Sequence, residues 1–315
     1  SDILTVANAN VTIKGGIMLE KRNNPNVKIK SERTSLKHLD RIDQKNFPLD
    51  GKYSFPASSG KGVNVFIIDT GINVKHVDFE GRAKFEAVFC DGCPLKDDHG
   101  HGTMVAGIIG GRKFGVAKKT TLIGVKAFDA TGSGTLIDFL NALCYVIHQH
   151  MKSENKKSVI NMSFGFDKII EAVNMLVEKA ISLGINVVVA GGNEAEDSCT
   201  KSPALVPGAI TVGATELVNN HIANFSDFGP CIDIFAPGRD IKSAGTNSSV
   251  DTRIESGTSF SAPQVVGAVA LLLGEKFLST DEVTNELIKI STKNVIKGID
   301  NLPGTPNRFL RVPNF

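Results

Sequence analysis

No apolar run in this 315-residue chain approaches the roughly 20 residues needed to span a bilayer. The longest, Val265 to Leu273, is broken by Gly267 and suits a buried helix. A surplus of one charge is missing as well. Lys and Arg number 35 against 33 Asp and Glu, for a formal net charge of +2, so no polycationic surface for nucleic acid or anionic membrane is expected. Basic residues are scattered, and short pairs such as Lys118-Lys119 and Lys156-Lys157 read as solvated surface. Cysteine is scarce: five in all, an odd number, leaves at least one unpaired and excludes a fold built on disulfides. One or two bridges in an enzyme of an oxidising compartment remain compatible. The chain opens on Ser1 with no signal-peptide pattern behind it, so a processed or truncated product that has lost its targeting signal is expected. There is no internal repeat and no low-complexity stretch.

What is present is alternation. Val63 to Ile68, Leu122 to Phe128, Val159 to Met162, Ile185 to Ala190, Ala209 to Val212 and Ile232 to Phe235 are short runs rich in Val and Ile. They lack strict in-out periodicity, as strands covered on both faces do. Between them lie helical stripes: Leu136, Phe139, Leu140, Leu143 and Ile147, then Ile169, Val173, Leu176, Val177 and Ala180, closed by Gly184. Strand–helix–strand alternation predicts a parallel sheet with helices on both faces. In such sheets sites form at the carboxyl ends of strands, where Asp69, Ser163 and Asn193 each follow an apolar run.

The segment Gly257-Thr258-Ser259-Phe260-Ser261-Ala262-Pro263 places a serine where an apolar helix begins. At such a start the hydroxyl is open, and the backbone N–H has no intrahelical partner and suits a negative oxygen. The competing assignment is an N-cap serine. A nucleophilic serine needs a base, an orienter of that base and oxyanion donors. Asp69 ends the run Phe66-Ile67-Ile68, His101 lies among small residues in His99-Gly100-His101-Gly102-Thr103, and Asn193 follows Gly191-Gly192. Each has a plain structural alternative: a cap or salt bridge, a loop histidine, a turn asparagine. The order Asp…His…Ser is that of subtilisin.

With these residues in hand the chain resembles the subtilases, and among them the proteinase K branch. The resemblance rests on Val65-Phe66-Ile67-Ile68-Asp69-Thr70-Gly71-Ile72, Gly100-His101-Gly102-Thr103, and Gly257-Thr258-Ser259 with Pro263. It also rests on Gly115-Val116-Ala117-Lys118-Lys119-Thr120, Gly124-Val125-Lys126, Phe225-Ser226 with Phe228-Gly229, and Asp233-Ile234-Phe235-Ala236-Pro237-Gly238. It covers roughly residues 33–315. It implies an α/β fold of three layers, a doubly wound, mainly parallel sheet with helices on both faces. It further implies a serine endopeptidase in which Ser259 attacks the peptide carbonyl, His101 shuttles the proton, Asp69 orients His101, and Asn193 joins the Ser259 N–H at the oxyanion. Substrate strands fall on Gly132, Ser133 and Gly134 and on Ser163, Phe164 and Gly165. Ala190, Gly191 and Gly192 with Phe166 complete the specificity pocket.

Three positions depart from the family pattern. Met104 and Gln264 stand where histidines are usual, and Phe166 replaces a glycine, so its ring is expected to narrow or cap the pocket. No cofactor is needed for the chemistry. A structural calcium is implied at the carbonyls of Pro207 and Ala209 with the Asp233 carboxylate. The resemblance also pairs Cys199 with Cys231. Cys90 and Cys93 read as a local disulfide or two free thiols, and Cys144 as a buried free thiol. His148 and His150, two apart on a helix, do not make a metal pair. Residues 1–32 form a separate segment, in which Asn24-Pro25-Asn26-Val27-Lys28-Ile29-Lys30 resembles the tail of an inhibitory prodomain, with processing near Lys30 to Arg33. The alternative is a plain N-terminal extension. The expected partners are polypeptide substrates and the chain's own prodomain, with no nucleic acid and no membrane span. The expected protein is a monomer made as a zymogen, of broad specificity, routed through the secretory pathway to an extracellular or vacuolar, lysosome-like compartment.

Overall fold

The computed structural model describes residues 27–313. In chain order the elements are β1 (Ile29–Arg33), α1 (Lys37–Ile42), β2 (Lys52–Pro56), β3 (Asn64–Asp69), β4 (Ala83–Val88), α2 (His101–Gly110), β5 (Thr121–Lys126), α3 (Leu136–Lys152), β6 (Ser158–Met162) and α4 (Glu171–Ser182). They continue with β7 (Asn186–Ala190), β8 (Ile210–Thr215), β9 (Ile234–Pro237), β10 (Ile241–Ala244), β11 (Thr252–Glu255), α5 (Thr258–Glu275), α6 (Thr280–Ile290), β12 (Thr292–Lys293) and β13 (Arg308–Phe309).

Nine strands form one sheet in the order β12-β13-β9-β8-β7-β6-β3-β5-β4, parallel throughout except for the β12–β13 pair. The predicted strands are all there. β3 shows why their apolar runs are continuous. Val65 and Ile67 enter the core shared with α2 and α5, while Phe66 and Ile68 enter the core shared with α3 and α4. Each strand feeds two cores, so it has no polar face. The result is three layers, with α2 and α5 on one face and α3 and α4 on the other.

The helices follow their local signals. Thr135 and Asp138 form a capping box at the start of α3. Gly184, at φ +90°, lies just past the end of α4 in a conformation that disfavours any side chain. α5 is buried on nearly all sides from Thr258 to Leu273, which is why its sequence shows no amphipathic stripe. No single helix among the described residues is long and apolar enough to cross a membrane.

Some expectations are corrected. α4 begins at Glu171, which leaves Ile169 exposed in the preceding loop. Cys144 is free, as an odd count requires, but exposed: one residue past Leu143 is about 100° around the helix from the apolar stripe. Lys118 is not solvated surface. It is buried, donates to the carbonyls of Arg112 and Lys113, and lies 3.0 Å from Glu32. Disulfides join Cys90 to Cys93 and Cys199 to Cys231. Ile29 to Glu32, grouped by sequence with the N-terminal segment, form β1 together with Arg33, and the strand pairs antiparallel with β2 along its length. The Asn24-Pro25-Asn26 part of the prodomain-like tail lies outside the described residues.

Candidate active site

The carboxyl ends of β3 and β7 and the start of α5 converge on one rim of the sheet. Asp69 is the last residue of β3 and is 2% exposed. Its carboxylate accepts the Thr70 N–H at 2.7 Å and meets His101 Nδ1 at 2.8 and 2.9 Å. His101 is the first residue of α2, after Gly100 in the left-handed region at φ +101°. Gly102 is required because a Cβ there would fall 2.2 Å from Gly71 O. The small residues around the histidine are thus what lets α2 come down onto the end of β3. Burial alone would depress the imidazole. The Asp69 charge and hydrogen bond outweigh it, so the pKa lies above the ordinary 6.5. Asp69 also selects the tautomer, because the proton on Nδ1 leaves Nε2 free to accept.

Ser259 is the second residue of α5, and Gly257 holds the N-cap position, so the serine is not a cap. Its N–H has no intrahelical acceptor. Pro263 has no N–H to bond the Ser259 carbonyl, and that carbonyl instead accepts Ser163 Oγ at 2.9 Å. In return Ser259 Oγ donates to the Ser163 carbonyl at 2.8 Å. Among the described residues no hydrogen bond joins Ser259 Oγ to His101. The imidazole packs on Phe260, the next residue, with ring centroids 5.4 Å apart.

Asn193 follows Gly191 and Gly192 at the end of β7. Its Oδ1 accepts both the N–H and the hydroxyl of Thr258, at 2.8 and 3.0 Å. That fixes the amide with its NH₂ end turned away from Thr258. A cavity of about 370 Å³ is lined by His101, Asn193, Arg253, Glu255, Ser259 and Phe260. A second, of about 240 Å³, is lined by Asp69, His101, Phe128, Gly132, Ser163 and Phe164. His99 and His101 line both.

Gly132, Ser133 and Gly134 are not a strand. Asp129 accepts the N–H groups of Thr131 and Ser133, and the Asp129 N–H donates to the Ser133 carbonyl, which folds the segment into an exposed turn. Ser163, Phe164 and Gly165 run on from β6 without a ladder of their own, and Phe166 makes one isolated bridge to Ser202. The Phe166 ring is half-buried among Phe139 and Phe164, with centroids 5.8 and 6.5 Å away, in a cluster that also holds Phe128. It therefore packs into a wall of aromatic rings. Ala190, Gly191 and Gly192 lie at the end of β7 and turn toward Asn193. A Cβ on Gly191 would fall 2.7 Å from Ile232 Cδ1. The two unusual residues behind the site have packing roles. Met104 is fully buried, and Gln264 Nε2 donates to the carbonyls of Pro237 and Phe260 at 2.6 and 2.8 Å.

Pro207 and Ala209 precede β8 and Asp233 precedes β9, so the implied calcium ligands share the opposite rim of two adjacent strands. Asp233 Oδ2 accepts the Thr211 N–H at 2.9 Å. Burial pushes its carboxyl up to about 6, against the lowering effect of that bond and of Arg308. A desolvated carboxyl with one N–H partner has the chemistry of a cation ligand. No group of three or more His, Cys, Asp or Glu placed to hold a metal ion occurs among the described residues, so the remaining oxygens would be main-chain carbonyls and water.

Residues that no motif pointed to complete the site. Asp97 is buried and accepts Thr70 Oγ1, the N–H groups of His99, Gly100 and Thr103, and Thr103 Oγ1, which fastens the start of α2 to the end of β3. Its signal was an acidic residue just ahead of a helix start. Thr258, which orients Asn193, has no signal beyond its place beside Ser259.

The sequence profile of the Subtilase family matches residues 60–305. The chain is 43% identical over 277 residues to the extracellular serine proteinase of Thermus sp. (strain Rt41A), covering 87% of this chain and 65% of that protein. It is 37% identical over 291 residues to subtilisin-like protease 3 of Saccharomyces cerevisiae, covering 86% and 60%. The chain thus spans less than two thirds of the length of these relatives. The crystal structure of a cold adapted subtilisin-like serine proteinase superposes with a TM-score of 0.82 at 36% identity, covering 90% of this chain and 100% of that one.

Proposed function

The chain belongs to the subtilase family, and from that premise we propose that it is a serine endopeptidase whose triad is Asp69, His101 and Ser259, with Asn193 as oxyanion donor. The observation that carries the reading is His101 at the start of α2, its Nδ1 held by both oxygens of a buried Asp69 and its ring packed on the residue next to Ser259.

In this reading the Ser259 hydroxyl leaves the Ser163 carbonyl and turns to His101 Nε2. As its oxygen attacks the peptide carbonyl, the proton passes to Nε2 and Asp69 stabilises the imidazolium. The carbonyl electrons move onto an oxyanion that takes hydrogen bonds from the Ser259 N–H and the Asn193 amide. Collapse expels the amine, which takes the proton back from His101, and leaves an acyl-enzyme that water hydrolyses by the same route. The family needs no cofactor for these steps.

Extended substrate would lie between the turn at Gly132, Ser133 and Gly134 and the open segment Ser163, Phe164 and Gly165. Main-chain recognition of that kind supports broad specificity. Ala190, Gly191 and Gly192 and the Phe166-containing ring cluster would set the preferred side chain. Asp233, Pro207 and Ala209 would hold a structural calcium. The segment upstream of β1 is read as the remnant of an inhibitory prodomain. Because β1 is paired along its whole length, processing on the N-terminal side of Ile29 would leave that pairing intact, whereas a cut between Lys30 and Arg33 would divide it. Two disulfides and relatives such as the extracellular Thermus proteinase support a secretory route. The match to the proteinase K branch rests on the motifs around Lys118 and Asp233.

Casein turnover by the purified protein tests the reading. Wild type should hydrolyse casein, and Ser259→Ala and His101→Ala should each lower turnover by about 10⁶, the magnitude found for serine or histidine loss in subtilisin, the family's namesake. Turnover that survives either substitution would overturn the assignment.

A further inference from the structure

The loop that carries Asn193 rests on a buried charge cluster that the chemistry above does not use. Lys201 has a side chain only 5% exposed and Asp227 one that is fully buried. The Lys201 ammonium donates to Asp227 Oδ2 at 2.7 Å and to Glu194 Oε2 at 2.6 Å, with Glu196 at 3.5 Å. The same Glu194 oxygen accepts the Asn193 N–H at 2.8 Å. Asp227 Oδ1 accepts the N–H groups of Glu194 and Glu196 at 2.9 and 3.0 Å, and the Asp227 N–H donates to the Gly192 carbonyl at 3.1 Å. Gly192, at φ +119°, lies so close that a Cβ would fall 2.0 Å from Asp227 Oδ2. Asn193, Glu194 and Glu196 thus each donate a main-chain N–H to the carboxylate of Asp227 or Glu194, and the Gly192 carbonyl is held by the Asp227 main chain.

Burying one lysine among carboxylates gives little net stability, because desolvation offsets most of the attraction. Its return here is geometric. Thr258 fixes the side-chain oxygen of Asn193 from one side, and the charge cluster fixes its backbone from the other. Burial works against the Lys201 charge, but the bonds to Asp227 and Glu194 prevail and hold its pKa above the ordinary 10.5. Partial burial likewise works against the Glu194 charge, and the Lys201 hydrogen bond and Asn193 N–H bring its carboxyl below the ordinary range. Lys201 and Glu194 are therefore both charged across the pH range in which His101 titrates.

We propose that Lys201, through Asp227 and Glu194, is a positioning residue for the oxyanion donor, setting where the Asn193 amide stands relative to the Ser259 N–H. The proposal rests on the reading of Asn193 given above. It is tested by kcat and KM on a peptide anilide, with active enzyme counted by fluorophosphonate titration, for Asn193→Ala, Lys201→Met, Lys201→Arg, Glu194→Ala and the doubles with Asn193→Ala. Lys201→Met should lower kcat by about 10–100-fold with KM within about twofold, since a displaced donor is lost only in the transition state. Lys201→Arg should restore part of it. In the Asn193→Ala background, Lys201→Met should lower kcat no further. Glu194 is 45% exposed, so Glu194→Ala leaves the fold intact and gives the same readout should Lys201→Met fail to fold. Unchanged kcat in Glu194→Ala or Lys201→Met, or a loss just as large when Asn193 is already alanine, would overturn the positioning role alone. Unchanged kcat in Asn193→Ala would overturn the oxyanion reading beneath it.

Discussion

Both halves of the cleft are organised around a buried carboxylate, and they differ in which groups hydrogen-bond to it. On the triad side Asp97 takes five neutral donors, four of them from residues two to six positions away at the start of α2. On the oxyanion side Asp227 takes its donors from 26 to 33 positions away, and one of them is an ammonium. A helix start supplies unpaired N–H groups and a favourable dipole, which are enough to hold an anion. The Asn193 loop lies at no helix start and recruits a lysine. The same region carries the long-loop disulfide Cys199–Cys231, whereas Cys90–Cys93 on the triad side closes a loop of three. The half that carries Asp69 and His101 is built locally, and the half that carries Asn193 is tied together across distant sequence.

Three perturbations sharpen that contrast. Asp69→Asn is expected to act most strongly and on chemistry alone. The amide keeps the shape but not the tautomer, and kcat should fall by about 10⁴. The acidic limb of kcat/KM should also move. In wild type it lies above pH 6.5, because activity needs neutral His101 and Asp69 raises that pKa. With the charge gone and burial left, it should drop. An unshifted limb would mean that another group titrates.

Replacing Cys199 and Cys231 by serine should act on stability instead, by about 3–4 kcal/mol for a loop of 32, measured by urea unfolding. Serine at Cys90 and Cys93 should cost about 2 kcal/mol. Equal losses would remove the distinction between local and long-range fastening.

The third perturbation concerns Asp233. Its folded pKa of about 6 lies above the unfolded 3.8, so in chelator this group favours the fold below pH 4, and that contribution is lost as pH rises through 6. The loss is at most about 3 kcal/mol. Calcium binds the ionised form, so its stabilisation should grow over the same window. Thermal unfolding with and without calcium should show both trends in wild type and neither in Asp233→Asn. A calcium effect that survives the substitution would put the ion elsewhere.

The contrast between the halves also explains what could be read from the sequence. Asp69, His101 and Ser259 stood out as candidates because each sits in a short block whose neighbours serve it: a buried strand before Asp69, close-packing glycines around His101, Pro263 behind Ser259. The sheet was legible because a strand facing two cores cannot hide its composition. Lys201 and Asp227 were not. Each looks like an ordinary surface residue between Thr200 and Ser202 or between Ser226 and Phe228, and neither has meaning until the chain brings them together. Lys118 was misread for the same reason, its partner Glu32 lying in a strand far upstream. Cys144 was misplaced by one step of helical phase.

The central claim is that Ser259 is the nucleophile and that His101, held by Asp69, activates it. The most direct test is to react the protein with a fluorophosphonate across pH 5 to 9 and map the adduct by peptide mass spectrometry. The account predicts a single adduct on Ser259, forming at a rate that rises through a midpoint above 6.5 and collapses in His101→Ala. An adduct on another residue, or a rate indifferent to His101, would contradict it.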